Sequence, residues 1–210
     1  MSRICFLDND IILKLTACDL FNEAISILNV NRDNIRVLPS ARYYFKKSRR
    51  AKKLYPENIR NKVTTIASRY QTIEIETKEA LQKINKLQSY EGIDDGEANL
   101  IAATREINAF WLTTGDKRFL KTVASYNELA TIKSRLQGKV ICLEQLILQL
   151  ICIRGFEFIL PKVLLATQYD AALKAIFGSQ ELSTENNVLN ALDSYIKDLN
   201  TSTKDILRKF

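Results

Sequence analysis

Short apolar runs of β character alternate with longer helical patterns through the first two-thirds of this chain. That order constrains the fold more than any other feature. Ile4–Leu7, Ile35–Leu38, the alternating TIEIE at Thr72–Glu76, Ala109–Thr113 and Lys139–Leu143 read as strands. Between them lie an apolar helical pattern from Ile12 to Leu28, a helix after Pro39 with Ser40 as its N-cap, and one from Pro56 to about Tyr70. Further helices are capped by Thr77, opened by Asp94 and Asp95, and carried by GDKRFLKTVAS. The alternation predicts an α/β protein: a three-layer α/β/α arrangement around a mostly parallel sheet. After about residue 150 the pattern is helical only, Ile159 to Phe177 and Val188 to Leu199, with Gly178 and Ser179 between them and no convincing strand. Residues 1–150 are therefore expected to form the α/β domain, and 151–210 a C-terminal α-helical extension packed on it or on a partner.

Composition narrows the chemistry. The 210 residues include no histidine. A Ser-His-Asp or Cys-His relay is excluded, as is a metal held by imidazole. Carboxylates, lysines, hydroxyls, thiols or an oxygen-ligated metal remain. The four cysteines, Cys5, Cys18, Cys142 and Cys152, form no CxxC pair and sit among apolar residues, so they are expected to be buried free thiols in a reducing cytoplasm. Mean hydropathy is −0.13 and no apolar run is long enough to span a bilayer. The opening MSRICFLDND meets acids too early for a signal peptide, and a cytoplasmic location without membrane contact is expected.

Three acidic groups stand where an α/β fold would bring them together. Asp8 and Asp10 follow the first strand, Asp94 and Glu97 lie three apart at a helix start, and Asp116 follows the Ala109–Thr113 strand with Thr114 two residues before it. In an open α/β sheet the strands' C-terminal edge is where ligands bind. Carboxylates gathered there repel one another and need a divalent cation; hard oxygen ligands favour Mg²⁺ or Mn²⁺. Each acid also has a plain structural reading as a helix cap or a dipole partner.

Charge is uneven. Residues 1–90 carry 17 Lys/Arg against 9 Asp/Glu, and residues 91–210 carry 14 against 15, so the whole excess of the +7 net charge lies in the first half. Much of it is the acid-free stretch 41–53, with Arg42, Lys46, Lys47, Arg49, Arg50, Lys52 and Lys53 beside Tyr43, Tyr44 and Phe45. Cations interleaved with aromatics suit a phosphate backbone with stacked bases. The alternative is a solvated helix face whose aromatics form its buried stripe.

FLDNDIILKL, DDGEANLIAA and LTTGDKRFL, in that order, resemble the three motifs of PIN-domain nucleases. Asp8 and Asp10 match the family's opening Asp-x-(Asn/Asp), Asp94, Gly96, Glu97 and Ala98 the Asp-x-Gly-Glu-Ala variant of its central motif, and Thr114 and Asp116 its (Ser/Thr)-x-Asp. The resemblance covers roughly residues 3–145. It implies an α/β/α sheet that cuts RNA, or sometimes DNA, with Mg²⁺ or Mn²⁺. It also implies homodimers and, in many members, the toxin half of a bacterial toxin–antitoxin pair. Many members carry a Glu in the helix after the second strand; here the segment following Pro39 reads SARYYFKK and has no acid.

The expected function is thus a metal-dependent endoribonuclease. Asp8, Glu97 and Asp116, with Asp94, would hold the metal, and Asp8, Asp10, Glu97 and Asp116 would form the catalytic set. Thr114 would support Asp116 or bind a phosphate. Arg42, Lys46, Lys47, Arg49 and Arg50, with Lys14 and Arg118, would guide the backbone. The helical tail would serve association with an antitoxin, another protein or a second copy. Two alternatives remain. One is a catalytically degenerate PIN-like RNA-binding module. The other is a haloacid-dehalogenase-like phosphatase, whose Asp-x-Asp opening LDNDI resembles, with Asp8 as nucleophile and Asp10 as acid–base; KRFLKT after Asp116 lacks that family's second acid.

Overall fold

The computed structural model describes residues 3–75, 77–178 and 184–210. It is an α/β protein with a five-stranded sheet in which every pairing is parallel. The strands are β1 (Ile4–Leu7), β2 (Ile35–Val37), β3 (Gln71–Thr72), β4 (Phe110–Thr114) and β5 (Val140–Cys142). Their spatial order is β3-β2-β1-β4-β5. The chain thus winds outward from β1 in one direction, returns, and winds outward in the other. The switch falls between β1 and β4, which pair with Leu7 opposite Thr113. A crevice opens at such a point, beyond the strands' C-terminal ends.

The central strands are β-branched and aromatic, and β4 and β5 are buried at every position, as a parallel sheet covered on both faces requires. Thirteen α-helices are seen among the described residues. In one set α1 (Asn9–Ala17) packs on α2 (Phe21–Ile27) and α5 (Glu57–Ala67), and α3 (Ala41–Lys47) on α5 and α4 (Arg49–Leu54). A second set pairs α6 (Lys78–Leu87) with α7 (Asp95–Ala103), and α8 (Lys117–Ser125) with α9 (Ala130–Leu136). This is consistent with a three-layer α/β/α fold. No helix among the described residues is long and apolar enough to cross a membrane.

Several local expectations need correction. The pattern from Ile12 to Leu28 is two helices, because the chain turns at Asp19 with φ 51°. The basic stretch is also two helices: Ser48 leaves helical geometry, and its hydroxyl accepts from the Ala51 amide to start α4. Thr72–Glu76 is a strand only at Gln71–Thr72, with one further bond from the Ile73 amide to the Val37 carbonyl; Glu76 lies outside the described residues, as does Ser179. Cys5, Cys18 and Cys142 are buried, but Cys152 is exposed. On its helix Leu150 and Ile151 face the core, and the next positions turn outward.

The C-terminal helices α10 (Leu143–Arg154), α11 (Phe156–Leu164), α12 (Ala171–Phe177) and α13 (Glu185–Ser202) join the same apolar cluster as the sheet. Helix α10 packs on α2, α11 and α13, and α13 also touches α8. The chain end returns to the sheet. Leu207 bridges Val140, the Arg208 amide donates to the Val140 carbonyl (2.7 Å), and the Gln145 amide group donates to the Arg208 carbonyl (2.7 Å). Arg208 and Arg3 stack on the Trp111 ring at 4.2 and 4.0 Å. A polar-looking tail end thereby covers the β5 edge, which the hydropathy pattern does not announce.

Candidate active site

The crevice at the β1/β4 switch is an open cleft of about 560 Å³. The Asp8 amide donates to the Thr113 carbonyl (3.1 Å), which carries the β1–β4 ladder one residue past the strand. Asp8 is therefore placed by sheet geometry and not by a loop. The fully buried Thr114 hydroxyl donates to Asp8 Oδ2 (3.1 Å) and accepts from the Asp116 amide (3.1 Å). One threonine thus fixes both acids. Asp116 is also the N-cap of α8, accepting from the amides of Arg118 (2.8 Å) and Phe119 (3.1 Å). Its structural and functional readings do not compete, because one oxygen caps while the residue still lines the cleft. Burial and the neighbouring Asp10 carboxylate push Asp8 up to about 7, against the opposing Thr114 bond.

Asp94 and Glu97 open α7 as a reciprocal capping box. Asp94 Oδ1 accepts from the Glu97 amide (3.0 Å), and Glu97 Oε2 from the Asp94 amide (2.7 Å). Burial and the adjacent Asp94 carboxylate raise Glu97 well above the usual carboxylate range. Burial acts the same way on Asp94, but the hydrogen bonds around Glu97 outweigh it and hold Asp94 low.

Two lysines in the cleft are claimed by carboxylates from later parts of the chain. Lys14, one helical turn after Asp10, places Nζ 2.5 Å from Asp10 Oδ2 and 2.6 Å from Asp170 Oδ2. Asp170 is the N-cap of α12 and accepts from the Leu173 amide (2.8 Å). Burial disfavours the Lys14 charge, yet the two carboxylates keep it above the ordinary lysine range. Burial would raise Asp170, but the ammonium outweighs it and holds it down. Lys117 Nζ lies 2.6 Å from Glu144 Oε1 and 4.4 Å from the centre of the Tyr195 ring.

Of the residues singled out from sequence, Asp8, Asp10, Lys14, Arg50, Asp94, Glu97, Asp116 and Arg118 line the cleft, with Thr114 directly beneath. Arg42, Lys46, Lys47 and Arg49 do not line it; Arg42 donates to the Ser68 carbonyl (3.2 Å). The aromatics of α3 divide: Phe45 is buried, Tyr44 half-buried, and Tyr43 is 72% exposed on the cleft. Sequence reasoning missed Asp170, Glu144, Lys117 and Asn9, whose Oδ1 is buried without a hydrogen-bond partner. Glu144 obeys the rule that found Asp8, an acid just past a strand. Asp170 carries only a cap signal.

The cleft lining holds eight carboxylates (Asp8, Asp10, Asp94, Asp95, Glu97, Asp116, Glu144, Asp170) against four cationic side chains (Lys14, Arg50, Lys117, Arg118). Ion pairs among the described residues reach Asp10, Asp170, Glu144 and, at 3.6 Å, Asp116, but not Asp8, Asp94 or Glu97. As the side chains stand, no three Asp, Glu, Cys or His among the described residues are gathered to hold one metal ion. The donor set nevertheless suits a hard cation, being carboxyl oxygens, those of Asp8, Asp94 and Glu97 without an ion pair, and the unpartnered amide oxygen of Asn9. No protein-family model, curated protein or solved structure matches this chain.

Proposed function

We propose that the chain is a metal-dependent nuclease of the PIN type, cutting RNA. The observation that carries this reading is the charge imbalance of the cleft at the β1/β4 switch point. Eight carboxyl groups crowd against four cations, and burial and mutual repulsion hold protons on Asp8 and Glu97, so a divalent cation is what would let the group ionise together and accept a phosphodiester. Asp8, Glu97 and Asp116, with Asp94, are the residues that would hold Mg²⁺ or Mn²⁺. Such an ion lowers the pKa of a bound water and stabilises the leaving oxygen.

The chain's own groups do the rest. Thr114 orients Asp8 and supports Asp116. Asp10 accepts from Lys14 at the cleft wall. Arg50 and Arg118 stand on the rim, where they can take phosphate oxygens. Tyr43, exposed beside them, offers a face for a base. The exclusive use of oxygen ligands agrees with a chain that has no histidine. A cytoplasmic homodimer, and an antitoxin or other partner on the helical tail, belong to the same proposal.

One observation favours a second reading, an RNA-binding module without cleavage: α3 presents Tyr43 and Tyr44 to the cleft where an acid would complete the set. A labelled single-stranded RNA incubated with Mn²⁺ and wild type, Asp8→Asn or Asp116→Asn separates the two. Cleavage by wild type that falls at least about a hundredfold in both variants supports the nuclease. Equal cleavage by all three marks contamination. Salt-sensitive RNA binding with no cleavage supports the module.

A further inference from the structure

The Asp10–Lys14–Asp170 arrangement is an ammonium enclosed by two carboxylates beside the carboxylates proposed to hold a metal. Lys14 is only 12% exposed, and its Nζ lies within 2.6 Å of an oxygen from each acid. Asp10 lines the same cleft as Asp8 and lies close enough for its charge to act on it, so its carboxylate is within reach of a cation held at Asp8. The β4–α8 turn is shaped around this pair. A Cβ on Gly115 would stand 2.5 Å from Asp10 Oδ2 and 3.3 Å from Lys14 Nζ, so a side chain there would push this pair aside. In two-metal phosphodiester sites a second ion sits about 4 Å from the first and shares a carboxylate with it.

We propose that the Lys14 ammonium, clamped by Asp10 and Asp170, occupies the place a second divalent cation would take, so that the cleft binds one divalent ion per chain. The inference rests on the metal-dependent reading above and adds two things to it. Lys14 neutralises the cleft wall without offering a coordination position, so a single ion must both activate water and steady the leaving oxygen. Asp170, from the C-terminal helical segment, is a positioning residue that acts through Lys14. The tail is then part of the site and not only a docking element.

Calorimetric titration of the full chain with Mn²⁺ alone tests this. Wild type should take up one equivalent. Lys14→Arg, which keeps the charge, should also take up one. Lys14→Met leaves Asp10 and Asp170 facing each other and should gain a second equivalent. Lys14→Met/Asp170→Asn should fall back to one, or bind the second at least tenfold more weakly. If Lys14→Met folds poorly alone, its melting temperature should rise with Mn²⁺ by more than that of wild type. Two equivalents in wild type, or one in a folded Lys14→Met, overturns the proposal while leaving the metal-dependent reading intact. No uptake by wild type overturns that reading, and this inference with it.

Discussion

Asp8 and Asp170 are carboxylates of the same cleft, both largely shielded from water, and their proton affinities move in opposite directions. Asp8 has a threonine hydroxyl at 3.1 Å and other acids around it, and it is pushed up to about 7. Asp170 has the Lys14 ammonium at 2.6 Å, and it is held below the usual range. Burial opposes ionisation at both. What separates them is whether the fold supplies a counter-charge. On the tail side of the cleft it does; at the β1/β4 switch point it leaves the charge uncompensated. A buried acid that holds its proton for want of a counter-charge is costly to keep, so its presence points to a partner that comes from outside.

The contrast breaks most readily at Lys14. Lys14→Met strands two carboxylates, and loss of one member of a sheltered ion pair costs about 3–5 kcal/mol. Denaturant unfolding in EDTA should show that loss, and adding Asp170→Asn should recover much of it. If Lys14→Met is neutral, the wall is not held by this pair.

The next effect is a pH dependence with a definite sign. Asp8 binds its proton more tightly in the folded chain, at about 7 against an ordinary 3.8. The folded state therefore holds more protons through that window, and stability falls as pH rises from about 4 to 7. A three-unit difference sets an upper bound of about 4 kcal/mol on the fall. In EDTA, Asp8→Asn should flatten this slope and melt above wild type at neutral pH. Asp170 has the opposite sign: its contribution is present above the ordinary carboxylate range and is lost as pH falls below it.

Thr114→Val is expected to cost about 2 kcal/mol, since it removes a buried hydroxyl that bonds a carboxylate and a backbone amide. It should also raise Asp8 further, which a pH series on the variant would show as a fall that runs on to higher pH. The smallest effect should come from the basic helices. Lys46 and Lys47 are exposed and away from the cleft, so replacing both with alanine should change stability by less than about 0.5 kcal/mol. If they bind RNA phosphates, the slope of log affinity against log salt should drop by about 0.7 for each phosphate no longer neutralised. An unchanged slope would remove Lys46 and Lys47 from the substrate path.

Much of the architecture is legible in the residue order. Ile4–Leu7 and Phe110–Thr114 are apolar runs too short for helices, and Asp94, Thr77 and Asp116 are cap residues whose side chains do accept the expected amides. These are local effects, set by residues within one turn of one another. The split of the basic stretch at Ser48 is harder to read, because its charges run on across the break. The exposure of Cys152 is hidden because α10 is apolar over most of its surface and sequence alone does not give its roll angle.

Residue order and composition are enough to bound the chemical repertoire and to set the succession of strands and helices. A chain without histidine has no imidazole relay or imidazole-held metal, and strands alternating with helices form an α/β sheet with acids at its C-terminal edge. Which acids share a pocket, and which of them meet a counter-ion, emerges only when distant elements pack together. Lys14 and Asp170 are separated by most of the chain, and no local pattern couples them. Their pairing follows from how α11, α12 and α13 pack together and into the common core, which is a property of the folded chain and not of any window of residues.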